Sequence, residues 1–314
     1  MRKFYIAFLA CVFAPVLVGH ALAGDGPAGL IEKANISGGL VGQVGSDDMT
    51  PPERLKPLGD TFHIRTLIRD PAKVTRVEES LLESRLHGKF TCDILKGNVL
   101  PFNANALNAL VVVDRGSLDE SEFQRVLAPR GLLITRENGA WTATSRPMPA
   151  EYDDWTHYLY DASGNAVSRD RKVGPPKSFR WTAGPLHQRS HDWTSGTLGM
   201  VTAGGRLFYL LDEGPSHMLD VPERWSLVAR DAFNGALLWK RPLTGYGHDL
   251  FEMNNPGRPN AGATWRSPLS VNRRLVAAGD RLVASLRYRN GPLTILDAAT
   301  GETLHELDLG GSVD

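Results

Sequence analysis

Cysteine is nearly missing from this chain, with two in 314 residues. Cys11 lies in an apolar N-terminal run, which leaves Cys92 alone in the rest. That excludes an intrachain disulfide once the N-terminus is removed. No Cys-x-x-Cys, haem-attachment or zinc spacing exists, so the fold must be held by its core. A dominant charge is missing too. Lys+Arg 35 balances Asp+Glu 35, so no global field draws in nucleic acid or an anionic membrane. No apolar run reaches the roughly 20 residues of a spanning helix. The longest, Phe4–Val18, is broken by Pro15.

What is present is ample core material. Hydrophobic residues make up 42% and charged residues 22%, which excludes a disordered chain. The 32 Gly and 20 Pro suit a fold with many turns. The length fits about two domains. Arg2 and Lys3, the run Phe4–Val18 and the small-x-small site Ala21-Leu22-Ala23 have the layout of a secretory signal peptide. The expectation is an exported protein of the periplasm or cell envelope, with residues 1–23 removed and no transmembrane segment left.

Residues 24–147 read as alternating strand and helix. Strands are predicted at Gly39–Val44, Phe62–Ile68, Ala109–Val113, Gly131–Arg136 and Trp141–Ser145. Helices are predicted at Pro71–Leu86 and Ser117–Leu127, the first from the spacing of Val74, Val77, Leu81 and Leu82. This alternation predicts a parallel α/β sheet. After Arg146-Pro147-Met148-Pro149 the helical period vanishes. Short strands alternate with turn residues, so residues 148–314 read as all-β.

The second half repeats itself. Ala203-Gly204-Gly205-Arg206-Leu207 returns as Ala278-Gly279-Asp280-Arg281-Leu282. Asp231-Ala232-Phe233-Asn234-Gly235 returns as Asp297-Ala298-Ala299-Thr300-Gly301. Each Asp can accept backbone N–H bonds in an Asx turn, and each Gly can supply a positive φ. Trp239 sits early in an outer strand, where it can cover a join between repeats. One full unit spans about 198–244 and a second about 268–309, with a contributing strand at Phe179–Ala183.

These residues carry a resemblance. Ala229-x-Asp231-x-x-Asn234-Gly235-x-x-x-Trp239 resembles the tryptophan-docking motif of pyrroloquinoline-quinone (PQQ)-type β-propellers, with Asn234 in place of Thr. In the second copy Ile295 replaces the Ala and His305 the Trp. The resemblance implies a partial propeller of four-stranded blades, completed beyond Asp314 or by another chain. Residues 24–147 resemble a class I S-adenosylmethionine (SAM)-dependent methyltransferase. The matching segments are Leu40–Asp48 for its glycine-rich loop, Asp70–Val74, Asp93–Phe102 for "GxxLPF" and Arg125–Leu132 for "RVLxPGG". The whole is similar to large exported bacterial proteins named after the outer-membrane assembly factor BamB.

The methyltransferase resemblance implies a vestigial cofactor site at Gly42, Gly45, Asp47 and Asp70. Ser46-Asp47-Asp48 stands where glycines would, Ile68 where the ribose carboxylate would, and Arg130 where a glycine would. The domain is therefore expected to be a pseudo-enzyme, with no catalytic residues and no bound SAM. Two further groups stand out. His187, His191 and Asp192 are metal candidates, but they fall short of a closed site in loop sequence. Asp153, Asp154, Trp155 and His157 could line a pocket between the domains. The leading reading is a binding or scaffold module for a protein or glycan partner. PQQ with calcium, and a quinoprotein oxidoreductase, remain an alternative if further blades complete the ring. SAM-dependent methyl transfer is the second alternative.

Overall fold

A computed structural model describes residues 22–24, 26–45, 54–137, 139–175, 177–184, 196–214, 223–246 and 269–310. The first half forms a seven-stranded mixed sheet. Its strands are β1 (Leu22–Gly24), β2 (Gly39–Val44), β3 (Phe62–Ile68), β4 (Phe90–Ile94), β5 (Leu107–Val112), β6 (Leu127–Glu137) and β7 (Ala140–Ser145). They lie in the order β1-β7-β6-β5-β2-β3-β4. β2 to β6 run parallel, while β7 and β1 are antiparallel additions at one side. The parallel run β2 to β6 is the α/β sheet that the alternation predicted, and its arrangement is Rossmann-like, as the methyltransferase resemblance implied. The expected signal cleavage after Ala23 falls inside β1, and residues 1–21 lie outside the described residues.

The central strand β5 is buried on both faces because helices cover both. α1 (Pro27–Lys33) and α2 (Pro71–Glu83) bury Leu30, Ile31, Val74, Val77 and Leu81 on one face. α3 (Glu120–Val126) buries Phe123 and Val126 on the other. α2 starts where Asp70 caps Ala72 N–H at 2.9 Å. It stops at Glu83, short of the predicted Leu86. Arg85 turns left-handed at φ 55, and Leu86 N–H returns to the Leu81 carbonyl at 3.0 Å. That reversal is a Schellman motif. α3 starts at Glu120 rather than at the predicted Ser117, because Asp119 takes the capping role, accepting from Ser121 N–H at 3.1 Å.

Two segments singled out in the sequence, Asp93–Phe102 and Arg125–Leu132, hold one another. Arg125 donates to the Leu100 and Phe102 carbonyls at 2.9 and 2.8 Å, and its fork is also paired with Glu122. The Leu100-Pro101-Phe102 stretch thus crosses between β4 and β5 without a helix. Residues of β3 and β4 on that side stay polar, with Arg65 and Asp93 paired at 2.7 Å.

The second half contains two four-stranded antiparallel sheets. The first orders β11-β10-β9-β8, from β8 (Thr197–Ala203), β9 (Arg206–Asp212), β10 (Trp225–Asp231) and β11 (Leu237–Pro242). The second orders β12-β13-β14-β15, from β12 (Leu275–Ala278), β13 (Arg281–Ser285), β14 (Leu293–Asp297) and β15 (Thr303–Leu307). A five-residue helix α4 (Leu269–Arg273) precedes β12. One core joins the sheets, with Phe208, Leu210 and Leu227 against Leu275, Leu282 and Leu296. The repeat is therefore real at the level of sheets. Phe179–Ala183 is not a strand, although its Trp181 has a repeat role described below. Among the described residues no helix is long and apolar enough to cross a membrane.

Candidate functional site

Open α/β sheets bind ligands outside the carboxyl ends of their strands, where the strand order reverses. Here that point lies between β2 and β5. β2 exits through Gly45 at φ 80, and a Cβ there would lie 2.6 Å from the Asp114 Cβ. The glycine thus lets the loop after β5 close directly onto β2. Gly42 faces the interior of the sheet, where a Cβ would lie 2.8 Å from Leu107 Cδ1. Asp70 spends its carboxylate on the α2 cap, and Ile68 is buried. Asp47 lies outside the described residues.

Arg69 spans the same edge. Its Nη1 donates to the Gly97 carbonyl at 2.9 Å and its Nη2 to Ser117 Oγ at 3.4 Å. Ser117 Oγ donates to Asn98 Oδ1 at 2.5 Å. The loops after β4 and β5 therefore meet across the ends of β2 and β3. Beneath them lies Gln43, fully buried, with Nε2 3.4 Å from the Gly45 carbonyl and Oε1 without a partner among the described residues. A glutamine inside the run Gly39–Val44 was the sequence signal for it.

The amino ends of the same strands dock on the first antiparallel sheet. Asn108 Nδ2 donates to Asp231 Oδ2 at 2.7 Å. Asn234 Nδ2 donates to Asn108 Oδ1 at 2.7 Å and to the Ala106 carbonyl at 2.8 Å. Asn108 Oδ1 also takes Leu40 N–H at 2.9 Å, so its amide orientation is fixed. Burial pushes the Asp231 carboxyl up, against the opposing donors from Asn108, Asn234 and Phe233.

Arg130 completes the junction. It adopts φ 67, a left-handed conformation that costs a non-glycine residue roughly 1–2 kcal/mol. Its guanidinium reaches the Gly204 carbonyl at 3.1 Å and Asp280 at 3.3 Å. Arg206 holds the same Asp280 oxygen at 3.1 Å. Arg130 thus departs from Pro-Gly-Gly because its side chain ties three parts of the molecule together.

The two repeat turns are built alike. Asp231 accepts from Phe233 and Asn234 N–H at 2.8 and 2.9 Å, and Asp297 from Ala299 and Thr300 N–H at 2.8 and 3.0 Å. Gly235 and Gly301 both adopt φ 75. Trp181 donates to the Ala232 carbonyl and Trp239 to the Ala298 carbonyl, each at 3.1 Å. Each indole lies where a Cβ on Gly235 or Gly301 would be, at 2.4 and 2.7 Å. Ala229 is buried opposite Trp239 in the β10–β11 ladder.

The segment between the domains is a staple. Thr202 N–H donates to the Trp155 carbonyl at 2.7 Å, and Ala277 N–H to the Thr156 carbonyl at 3.0 Å. It thereby joins β8 to β12. Asp153 Oδ2 accepts Tyr160 Oη at 2.5 Å and Arg169 N–H at 2.8 Å. Burial works against the Asp153 carboxylate, but these donors hold its pKa below the usual carboxylate range. Burial lowers the His157 pKa.

A cleft of 540 Å³ opens where this segment, the α/β unit and the first sheet meet. Asp153 and Asp154 line it, as the sequence suggested, whereas Trp155 and His157 do not. Tyr152 and Phe233 form a stacked pair in its wall, with centroids 6.2 Å apart and planes at 28°. His187, His191 and Asp192 lie outside the described residues. Among those described, no group of three or more His, Cys, Asp or Glu is placed to hold a metal.

No family model matches this chain, and no curated protein matches it. Solved structures do match. One is assigned as an S-adenosyl-L-methionine-dependent methyltransferase from Methanococcus maripaludis. It is 17% identical with a TM-score of 0.30, over 34% of this chain and 52% of that one. A structure assigned as a sarcosine dimethylglycine methyltransferase from Galdieria sulphuraria is 19% identical with a TM-score of 0.30, over 34% and 43%. The [4+2]-cyclase SpnF is 20% identical with a TM-score of 0.30, over 40% and 54%. The chain spans about half the length of these structures. The likeness is partial and concerns the fold alone.

Proposed function

We propose that this chain is a binding and scaffold module of the cell envelope. In this reading the α/β unit is a pseudo-methyltransferase, and the two antiparallel sheets are the first blades of a PQQ-type propeller. The observation that carries it is the Arg69 bridge. A SAM site needs an open carboxyl edge and a carboxylate for the ribose hydroxyls. Among the described residues Arg69, Gly97 and Ser117 bridge the loops across that edge, Asp70 is a helix cap and Ile68 is apolar. The tandem Trp181 and Trp239 contacts support blades that stack by one repeated join. Export rests on the Arg2–Ala23 layout alone.

Methyl transfer is the second reading, favoured by the sheet order and by buried Gln43 beside Gly45. Calorimetry on the full chain separates the two. No heat is expected on adding S-adenosylmethionine or S-adenosylhomocysteine. Micromolar affinity for either would overturn the pseudo-enzyme reading. Loading with PQQ and calcium, followed by dye reduction with alcohols and sugars, tests the quinoprotein alternative; no reduction is expected.

A further inference from the structure

We propose that the junction cleft binds a neutral carbohydrate, with a sugar ring lying on the Tyr152–Phe233 shelf. This rests on the binding-module reading. The cleft's 540 Å³ is in the range of pockets that enclose small ligands. Its wall offers a flat, half-buried aromatic pair. Such a surface suits a ligand with a flat apolar face. Gly205 lets the Phe233 ring settle close against the backbone. A Cβ there would lie 3.1 Å from Phe233 Cε2, and φ 78 disfavours any side chain.

The polar lining narrows the class. Asp153 is fixed by Tyr160 and Arg169, Asp170 by Lys172 and Val173 N–H at 2.7 Å each, and Asp154 by Gly204 N–H at 3.0 Å. A carboxylate has about four lone-pair sites, so Asp154 and Asp170 can still accept hydroxyl hydrogens, whereas Asp153 is filled by these donors together with Asp154 N–H and Ser168 Oγ. Lys172 and Arg180 share the lining with these carboxylates. Arg180 is committed to the Phe233 carbonyl at 2.8 Å and to the Ala104 carbonyl. An anion would face fixed carboxylates and a cation would face Lys172, so either meets a like charge. A neutral ring with an apolar face and hydroxyl edges meets neither.

Calorimetry of the full chain with cellotriose, maltotriose and chitotriose tests this. At least one should bind with Kd below about 1 mM. Phe233→Leu and Tyr152→Leu keep apolar volume but remove the flat ring, and each should weaken binding about tenfold. Urea unfolding reports whether each variant is folded, and either folded variant suffices. No binding by any trisaccharide at about 10 mM overturns the proposal. So does binding that both variants leave unchanged, which would put the sugar elsewhere. Binding of tetramethylammonium or of a trimethyl-lysine peptide in place of the sugars overturns the neutral class and points to a protein partner. S-adenosylmethionine binding would instead overturn the parent reading, whatever the sugars do.

Discussion

The turns Asp231–Gly235 and Asp297–Gly301 share their hydrogen bonds, their glycine φ of 75 and their docked indole. They differ in what lies above them. The first is roofed by Asn108 and the α/β unit, and its carboxylate is buried. The second carries Thr300 where the first has Asn234, and Thr300 is exposed. The difference teaches that one repeat element holds its own hairpin in both places. In the first it also serves as the socket for a second domain.

The largest break should come at the indole. Trp239→Ala should destabilise by about 3 kcal/mol in urea unfolding, through lost packing on Gly301 and a lost bond to Ala298. A negligible effect would show that the join between sheets does not depend on it. Next is Asp231→Asn. Oδ1 must keep accepting from Phe233 and Asn234 N–H, so the new amide would point its N–H at Asn108 Nδ2. Two donors face to face in a buried site should cost about 1–3 kcal/mol. Asp297→Asn, with no such roof, should cost under about 1 kcal/mol. Equal losses would erase the distinction between the turns.

Arg130→Gly should change stability by less than about 1 kcal/mol, since relief of the left-handed strain offsets two exposed hydrogen bonds. Hydrogen exchange at Gly204 and Asp231 should nevertheless quicken, while exchange at Asp297 stays unchanged. Acid sharpens the contrast further. The hairpin beside the second turn carries Asp280 where the first carries Gly205. Burial opposes the Asp280 carboxylate, but Arg130 and Arg206 win and lower its pKa. A lowered folded pKa gives stability that is present above the ordinary carboxylate value and is lost as pH falls through the folded one. Unfolding curves from pH 5 to 3 should therefore be less steep for Asp280→Asn than for the unaltered chain. The smallest effect belongs to His305, the second-sheet counterpart of Trp239, which is exposed. His305→Ala should fall within about 0.5 kcal/mol.

Much of this was legible in the sequence for local reasons. Phe62–Ile68 was bounded correctly, because Phe62, Ile64, Thr66 and Ile68 recur at the strand period with His63 and Arg65 between them. The Asp-x-x-x-Gly turns were legible because their hydrogen bonds close within the turn. Trp181 was read only as part of a strand, since its partner at Ala232 is distant in sequence. The α2 end was overrun because Leu86 keeps the apolar period while Arg85 reverses the chain. Arg130 read as decay of a glycine motif, because its partners Gly204 and Asp280 are found only once three units assemble. Arg69 was missed for the same reason: Gly97 and Ser117 come to it from separate loops.

The staple at Trp155 and Thr156 gives the chain a direction of assembly. The α/β unit is complete once Ser145 has been made, and the staple follows at once with two carbonyls ready. β8 is synthesised next and pairs through Thr202, and β12 comes later through Ala277. Each new sheet can thus be added to an edge already in place, as suits domains that fold in order of synthesis. A circular permutant that made residues 151–160 last would have to thread them into a slot that the two sheets had already closed.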